Sequence, residues 1–290
     1  MKTIGIVGAS GWIGSHLAKV LLAKGYEVVG YSRSQREDDE ITWRVWSGEG
    51  EIDLSGVESV VNMAGEPVDQ RWSEKRKRAF ETSRVSLTRE LCKAISDSEV
   101  KVLLNGSAIG FYGSRGDEVL DESSETGTGY FAELCRNWEG AVEVDERVRV
   151  AFLRVGMVLG KDGRAWQKMG PIFKLGIGGR LGNGQQWVPW IHLEDVLQGI
   201  LFCLDNEVSG PVNFTAPEPV RNVTFTKAAG HALKRPTLFP APAFMLKLVL
   251  GDFAEEGLLA SARVVPKLLL DSGYSFRYAK IDEAMAEITS

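Results

Sequence analysis

Near its start the chain reads Ile4-Gly5-Ile6-Val7-Gly8-Ala9-Ser10-Gly11-Trp12-Ile13-Gly14, with its last three glycines spaced three residues apart. The apolar run before Gly8 predicts a strand buried on both faces, and the residues after Gly11 predict an amphipathic helix. Because glycine lacks a Cβ, the intervening turn can approach a pyrophosphate closely at the positive end of the helix. The stretch therefore favours dinucleotide binding over a simple tight turn. The residues expected to contact the dinucleotide are Gly8, Ser10, Gly11, Trp12, Ile13 and Gly14.

Strands and helices alternate from this stretch to residue 155. The apolar patterns predict further strands at 27–31, 41–46, 59–64, 100–105 and 149–155, and helical segments at 72–96 and 129–146. Such alternation is typical of an α/β fold, and here it predicts a Rossmann-type doubly wound parallel sheet.

The sequence changes in character after Gly156. Glycine becomes frequent at 160–184, which is typical of a mobile lid over a substrate or of an irregular loop between two lobes. Helices are predicted at 193–204 and 224–233, with a strand at 211–214 between them. We therefore expect a dinucleotide-binding Rossmann domain at 1–156. A smaller mixed α/β substrate lobe with a C-terminal segment follows at 157–290, and its strand near 211–215 is expected to return to the main sheet.

Composition argues against several classes of protein. The 290 residues include 34 Lys and Arg against 39 Asp and Glu, a net charge of −5, which argues against a protein that coats nucleic acid. The basic run at 71–78 is expected to be a solvated helix face, with steering of an anionic cofactor as the second choice. Cys92, Cys135 and Cys203 lie far apart, which fits a reducing compartment and neither a zinc site nor a disulfide framework.

No segment of the sequence is typical of export or of membrane insertion. The first residues lack the apolar core of a signal peptide, and the longest apolar region, Ala243 to Leu250, is interrupted by Lys247. We therefore expect a cytoplasmic protein that acts on a small-molecule substrate, with neither nucleic acid nor a membrane as a partner.

The end of the second predicted strand indicates which dinucleotide binds. NAD-binding folds usually place an Asp or Glu about 20 residues after the glycine loop, where it holds the ribose 2′-hydroxyl. This sequence has Ser32 and Arg33 instead. A guanidinium matches a 2′-phosphate, so the sequence favours NADP over NAD, unless Arg33 is only a solvated surface residue.

Several motifs together resemble the short-chain dehydrogenase/reductase superfamily in its extended branch. They are the glycine loop at 8–14, Asn62 to Glu66, Ser107 with Tyr112-Gly113, and Pro189 to Asp195. Within that branch the chain is most similar to the "epimerase family" group, often labelled nucleoside-diphosphate-sugar epimerase. That similarity rests on Trp138-Glu139, Arg154 to Gly160, Asn213 to Pro217, Arg263 to Leu269 and Gly273 to Phe276.

The resemblance implies further cofactor contacts. Met63 and Ala64 would line the cofactor at the end of the fourth strand, Arg84 would reach it from the following helix, and Val158 would flank the nicotinamide. Core packing is the alternative for Met63 and Val158, and a solvated helix face is the alternative for Arg84.

The sequence departs from the superfamily where its chemistry is expected. The resemblance implies a catalytic Tyr with a Lys four residues later, because the lysine charge lowers the pKa of a phenol that otherwise titrates near pH ~10. In the preferred register Phe131 and Cys135 occupy these positions. Ser107 would still hydrogen-bond a substrate carbonyl, or else satisfy a loop amide at the end of its strand.

Three interpretations of the chemistry remain open. Tyr112 or Tyr130 supplies the proton, with remote electrostatic help from Arg136 or Lys101. Glu133 or His192 does the acid–base work, although His192 is better explained as a structural hydrogen-bonding residue.

In the third, there is no hydride chemistry and the chain is an NADP-binding sensor. The sequence thus predicts an NADP-dependent oxidoreductase or nucleotide-sugar-epimerase-like enzyme acting on a small carbonyl or hydroxyl substrate. The alternative is a catalytically silent NADP-binding regulatory protein.

Overall fold

A computed structural model describes residues 2–37 and 40–290. Its strands are β1 (Thr3–Val7), β2 (Glu27–Ser32), β3 (Thr42–Val45), β4 (Ser59–Asn62), β5 (Val102–Ala108), β6 (Val119–Leu120), β7 (Arg149–Val155), β8 (Met157–Leu159), β9 (Trp187–Val188), β10 (Trp190–His192), β11 (Gly210–Phe214), β12 (Val220–Arg221) and β13 (Arg263–Val264). Its α-helices are α1 (Trp12–Ala23), α2 (Glu74–Glu81), α3 (Leu87–Ser96), α4 (Tyr130–Glu139), α5 (Arg164–Lys174), α6 (Leu193–Asp205), α7 (Asn222–Leu233), α8 (Ala243–Leu250), α9 (Lys267–Asp271) and α10 (Ile281–Thr289).

The central feature is a seven-stranded sheet in the order β11-β7-β5-β4-β1-β2-β3. Every neighbouring pair in it is parallel, so the carboxyl ends of all seven strands lie at one edge. Chain order reverses between β4 and β1, and doubly wound sheets bind ligands at such a reversal. The predicted Rossmann-type fold is therefore confirmed, and the strand expected near 211–215 pairs with β7 at the edge of this sheet.

Successive residues of the central strands point to opposite faces of the sheet, and each face has its own core. Val61 and Leu104 pack with α1 and α6 on one face. Val60 and Leu103, their immediate chain neighbours, pack with α3 on the other face. Burial on both faces explains why these strands read as continuous apolar runs.

Three predicted elements differ from the structure. The helical segment expected at 72–96 is α2 and α3 joined by a π-helical turn at Thr82–Ser86, and the helix expected at 129–146 ends at Glu139. The glycine-rich stretch is not irregular throughout, because α5 occupies its first half. Trp166 and Phe173 lie two turns apart on α5 and are both buried in the third core, which stabilises a helix that contains Pro171.

The remaining elements pack around that third core. α5, α7 and α10 contribute to it, and two-stranded pairings of β8 with β10 and of β9 with β12 lie beside it. Among the described residues, no helix is long and apolar enough to cross a bilayer. The boundary at residue 156 stays a prediction.

Candidate functional site

The glycine loop is held in a shape that only glycine permits. Gly8 has φ +85°, and a Cβ on it would lie 2.9 Å from the backbone nitrogen of Ala64. A Cβ on Gly14 would lie 2.3 Å from the carbonyl oxygen of Gly8. The loop therefore packs directly on the segment after β4, which brings Met63 and Ala64 beside it as the sequence interpretation requires.

The start of α1 faces this edge without a side-chain cap. In the described part of the chain, no side chain accepts a hydrogen bond from its first turn, and Ser10 and Gly11 are exposed. The first amides of a helix have no partner within the helix and carry its positive dipole end. An anion placed here would meet free N–H groups, as the predicted role of Ser10 to Gly14 demands.

Trp12 ties the glycine loop to the second half of the chain. Its ring packs directly on Gly160 and Gly163. A Cβ added to Gly160 would lie 2.7 Å from the nearest ring atom of Trp12, and for a Cβ added to Gly163 this distance would be 2.5 Å. The indole Nε1 is buried and has no hydrogen-bond partner among the residues that the structure describes. The segment that holds Val158, in β8, is thus fixed beside the loop. Ile13, Met63 and Val158 all pack against the first core, so core packing also accounts for Met63 and Val158.

Ser32 and Arg33 end β2 beside the same edge. Ser32 is buried and its hydroxyl donates to the carbonyl of Ser34. The Arg33 side chain is 79% exposed, and its Nη1 lies 3.2 Å from Oε1 of Glu66. The guanidinium is therefore free to meet solvent or ligand, with one carboxylate at its side.

Arg84 is delivered by the π-helical turn between α2 and α3. Its Nη2 donates to the carbonyl of Glu66 at 3.0 Å, and its guanidinium lies 5.1 Å from the centre of the Trp138 ring. Burial lowers the pKa of Arg84, opposed by the nearby Cys135, Tyr130 and Glu66. Within the described residues it forms no ion pair, and π-helical turns often mark functional positions.

A buried polar network extends inward from Ser107. The Ser107 hydroxyl donates to Oε1 of Glu139 at 2.6 Å, and Arg154 binds both oxygens of that carboxylate at 2.8 Å. Arg154 also donates to the Tyr112 hydroxyl at 2.9 Å, which in turn donates to Oδ1 of Asn213 at 2.7 Å. Three strands, α4 and the 3₁₀ turn at Ile109–Tyr112 thus share one chain of hydrogen bonds below the edge of the sheet.

The geometry argues against Tyr112 as the proton donor. Its side chain is 0% exposed, and its hydroxyl is held by Arg154 and Asn213. Burial raises the pKa of Tyr112, against the effect of Arg154. The 3₁₀ turn at Ile109–Tyr112 directs the Tyr112 side chain into the core, so its role as a proton donor stays a prediction that this geometry does not favour.

Tyr130 is also directed away from Ser107. Its hydroxyl donates to the carbonyl of Lys77 at 3.1 Å, and burial raises its pKa. Phe131 packs against Gly110, where an added Cβ would lie 2.8 Å from its ring. Cys135 is fully buried, and desolvation raises the pKa of its thiol to about 12. Phe131 and Cys135 thus lack the groups of the superfamily's Tyr and Lys, and the catalytic role of Tyr130 stays a prediction.

The other acid–base candidates, Glu133 and His192, and the remote cation Lys101 either contact neighbouring side chains or lie away from Ser107. Glu133 is exposed and lies 3.9 Å from Arg136. His192 caps α6 by accepting from the Glu194 amide, and its Nε2 lies 3.0 Å from Glu287. Lys101 is exposed before β5, at the strand end opposite the site.

Comparison with known proteins places the chain in a family. Its sequence matches the model of the NAD dependent epimerase/dehydratase family over residues 4–215. The chain belongs to this family. A domain of unknown function matches residues 241–288. The resemblance to the extended short-chain dehydrogenase/reductase branch and its epimerase group is thereby confirmed.

Relatives within the family match from end to end. "Epimerase family protein ML0860" of Mycobacterium leprae is 39% identical over 293 residues, covering 99% of this chain and 95% of that one. "Epimerase family protein YfhF" of Bacillus subtilis is 32% identical, covering 98% of this chain and 97% of that one.

Solved structures agree. The human epimerase family protein SDR39U1, crystallised with NADPH, has a TM-score of 0.90 at 29% identity, covering 99% of both chains. A UDP-glucuronic acid 4-epimerase from Bacillus cereus with NAD has a TM-score of 0.78 at 15% identity, covering 98% of this chain and 96% of that one, which supports the fold alone.

Two residues to which the sequence analysis gave no functional role, Glu139 and Glu256, lie at this site. Glu139 receives the Ser107 hydroxyl, and a signal for it existed, since Phe131, Cys135 and Glu139 recur every four residues on one helix face. Glu256 accepts from the backbone amides of Tyr130 and Phe131 at 3.2 Å and 2.7 Å, which caps α4 with a carboxylate. No local pattern links residue 256 to residue 130.

Proposed function

We propose that this protein binds NADP(H) at the carboxyl edge of the seven-stranded sheet. The observation that carries the proposal is the uncapped start of α1, whose free amides follow a glycine loop packed on Ala64. Gly8, Ser10, Gly11, Trp12, Ile13 and Gly14 would hold the pyrophosphate, and Met63, Ala64, Arg84 and Val158 would line the remaining path. The human relative crystallised with NADPH supports the same cofactor class.

NADP(H) is proposed over NAD(H) because of Arg33. An exposed guanidinium ends β2, and neither residue 32 nor residue 33 is a carboxylate that could hold a 2′-hydroxyl. A 2′-phosphate would compete with Glu66 for the Arg33 guanidinium, and it carries more charge than a carboxylate.

The preference can be measured by calorimetric titration of NADPH and NADH. We expect Arg33→Ala to weaken NADPH binding by about tenfold or more while leaving NADH binding unchanged, since one charge-assisted contact is lost. Arg36→Ala is the matched control, because Arg36 lies over the Trp43 ring instead. Equal NADPH affinity in Arg33→Ala and in the unaltered chain would refute the role of Arg33.

The surroundings of α4 favour a protein that holds the cofactor without tyrosine-driven hydride transfer. Phe131 and Cys135 lack the required groups, and the hydroxyls of Tyr112 and Tyr130 are both engaged elsewhere. A regulator that responds to NADP(H) occupancy is consistent with all four positions.

A specific observation keeps an oxidoreductase as the second candidate. The Ser107 hydroxyl is already donated to Glu139, so its oxygen is left to accept a hydrogen bond from a substrate hydroxyl. Bound NADP⁺ would accept the hydride in such a reaction. Ser107 would accept the hydroxyl proton as its own proton passes to Glu139, which leaves a carbonyl product and a protonated carboxyl.

Turnover measurements separate the two candidates. The unaltered chain is incubated with NADPH and a panel of small carbonyl compounds, and with NADP⁺ and a panel of alcohols and nucleotide sugars. Tight NADPH binding without turnover on either panel favours the regulator. Turnover that Ser107→Ala abolishes favours the oxidoreductase. Turnover that is abolished by Tyr130→Phe but retained in Ser107→Ala would overturn both the proton path through Ser107 and Glu139 and the proposal that no tyrosine drives hydride transfer.

A further inference from the structure

One helix of the C-terminal part buries none of its residues. α8 is apolar around most of its circumference, yet Phe244 and Leu248 are each 72% exposed. Twelve large hydrophobic side chains stand out as exposed in the described parts of the chain, and nine of them fall within 172–177 and 238–249. Exposed apolar residues concentrated in this way mark an interaction surface rather than ordinary surface scatter.

The two stretches form one surface, here called the docking face and defined as residues 172–182 and 236–250. The Ala241 amide donates to the Arg180 carbonyl at 2.9 Å, and the Gly182 amide donates to the Ala241 carbonyl at 2.8 Å. Gly179 lies so close to Phe239 that a Cβ would stand 2.0 Å from its carbonyl oxygen. The end of α5, the following loop and α8 are therefore continuous.

The docking face lies in a part of the chain that has no acidic residue. Segments 163–193 and 219–251 contain nine Lys and Arg and no Asp or Glu, although the whole chain has a net charge of −5. Four of these cations, Arg164, Lys168, Arg221 and Lys247, pair with carboxylates. The other five make no ion pair with any described residue: Lys174, Arg180, Lys227, Lys234 and Arg235. The acidic residues just beyond α8 are engaged, since Asp252 pairs with Lys77, Glu255 pairs with Lys247, and Glu256 caps α4.

The basic run at 71–78 borders the same face. Arg71 donates from Nη1 to the carbonyl of Leu248 at 2.6 Å, and Lys77 lies 3.4 Å from Asp252. Lys75 and Arg78 of α2 are exposed beside these contacts. The run is thus a second source of positive charge at the rim of the docking face.

We propose that the docking face binds the surface of an anionic phospholipid bilayer. Exposed Phe, Leu, Met and Val among unpaired Lys and Arg are the combination that inserts shallowly into the headgroup region and attracts anionic lipid. A second copy of the chain is disfavoured, because a two-fold contact would press this cationic face against itself. Nucleic acid is disfavoured because aliphatic side chains predominate over aromatic ones that stack on bases.

This inference revises the expectation that no membrane takes part. That expectation rested on the absence of a spanning segment from the sequence, and binding at the interface requires none. The glycine loop and the network at Ser107 take no part in the docking face, so the inference stands apart from the proposed function.

The test is co-sedimentation of the full chain with vesicles of phosphatidylcholine alone or of phosphatidylcholine and phosphatidylglycerol in equal parts. We expect binding to the anionic vesicles, weakened by added salt, and at least ~10-fold weaker binding to the neutral ones. The double variant Phe244→Ser/Leu248→Ser should reduce the partition coefficient on anionic vesicles by ~10-fold or more. Lys174→Glu/Arg180→Glu, which reverses two exposed charges of the docking face itself, should reduce it by a similar factor.

Matched controls lie elsewhere on the surface. Val45→Ser/Val119→Ser removes two apolar side chains that are 54% and 53% exposed, and Lys2→Glu/Lys19→Glu reverses two exposed charges. Both controls should bind as the unaltered chain does, and thermal unfolding verifies that all variants fold. The proposal is overturned if anionic vesicles do not bind the chain, or if the controls lose as much binding. It is also overturned if the chain is a dimer that Phe244→Ser/Leu248→Ser dissociates.

Discussion

Two regions of the carboxyl edge are built in opposite ways. The cofactor edge, formed by the glycine loop and the start of α1, leaves backbone amides uncapped and is shaped by glycines that no other residue could replace. The α4 edge, formed by Ser107 and the start of α4, is filled by side chains that satisfy one another. Aromatic rings of Phe131, Tyr130 and Phe253 pack around Trp72, and Glu256 occupies the helix start.

The difference indicates that cofactor binding and proton transfer are separable in this fold. At the cofactor edge an anion would gain hydrogen bonds that the protein lacks. At the α4 edge the polar groups already have partners, so a substrate would gain little beyond the acceptor position left on the Ser107 oxygen. A chain can therefore keep the first edge while the second becomes a structural junction.

The largest effect is expected where the α4 edge is most tightly bound. Arg154→Met leaves the buried Glu139 carboxylate without its bidentate partner, which should cost about 3–5 kcal/mol of unfolding free energy, measured by urea denaturation. The double variant Glu139→Gln/Arg154→Met should recover part of that loss. A loss below about 1 kcal/mol would show that this network does not stabilise the α4 edge.

The cofactor edge should respond to a single methyl group. In Gly14→Ala the Cβ meets the Gly8 carbonyl, a backbone atom that cannot move aside, so we expect a loss of about 1–3 kcal/mol in stability together with loss of NADPH binding. Gly140→Ala serves as the control, because Gly140 has a negative φ of −68° and its added Cβ would lie 3.2 Å from the nearest carbonyl oxygen rather than 2.3 Å. NADPH binding by Gly14→Ala at unchanged affinity would contradict the proposed geometry.

The capping carboxylate of the α4 edge should matter less. Glu256→Gln keeps the shape of the side chain but removes its charge from the start of α4, which should cost about 0.3–1 kcal/mol. The loss should shrink in high salt. If the variant is as stable as the unaltered chain at low ionic strength, the Glu256 charge does not stabilise the start of α4.

A pH effect on stability should appear at Asp69, which follows β4 and pairs with Arg164 and Lys168 of α5. Burial disfavours the charge on Asp69, but hydrogen bonds and charges from Lys168 and Arg164 outweigh it and hold the pKa of Asp69 below its ordinary value. A lowered folded-state pKa contributes stability above the ordinary pKa and loses it as pH falls through the folded-state value. Asp69→Asn should therefore lower the free energy of unfolding at neutral pH by about 1 kcal/mol or less, measured by urea denaturation, and have little effect in acid. An equal difference at both pH values would exclude this ion pair as its source.

The sequence predicts the strand, glycine turn and helix of the cofactor edge because their determinants are local. Gly8, Gly11 and Gly14 lie within one strand–turn–helix unit, and Arg33 follows in the next strand. Their spacing therefore encodes their arrangement. The parallel sheet follows for the same reason, since each strand–helix unit has its own apolar pattern.

The α4 edge is not predictable in this way because its contacts join distant segments. Ser107 and Arg154 become neighbours only through the pairing of β5 with β7, and Glu256 reaches α4 from the C-terminal part. The burial of Tyr112 depends on a 3₁₀ turn that has no clear sequence signal. The sequence shows Phe131 and Cys135 in place of a Tyr–Lys pair, but it does not show how these two side chains pack.

Titration of NADPH and NADH into the unaltered chain, followed by calorimetry, tests the central claim most directly. We expect saturable binding of NADPH and an affinity for NADH that is at least ~10-fold lower than the affinity for NADPH, since the 2′-phosphate adds a charge-assisted contact. Absence of heat, and of any rise in melting temperature, with both dinucleotides would contradict it.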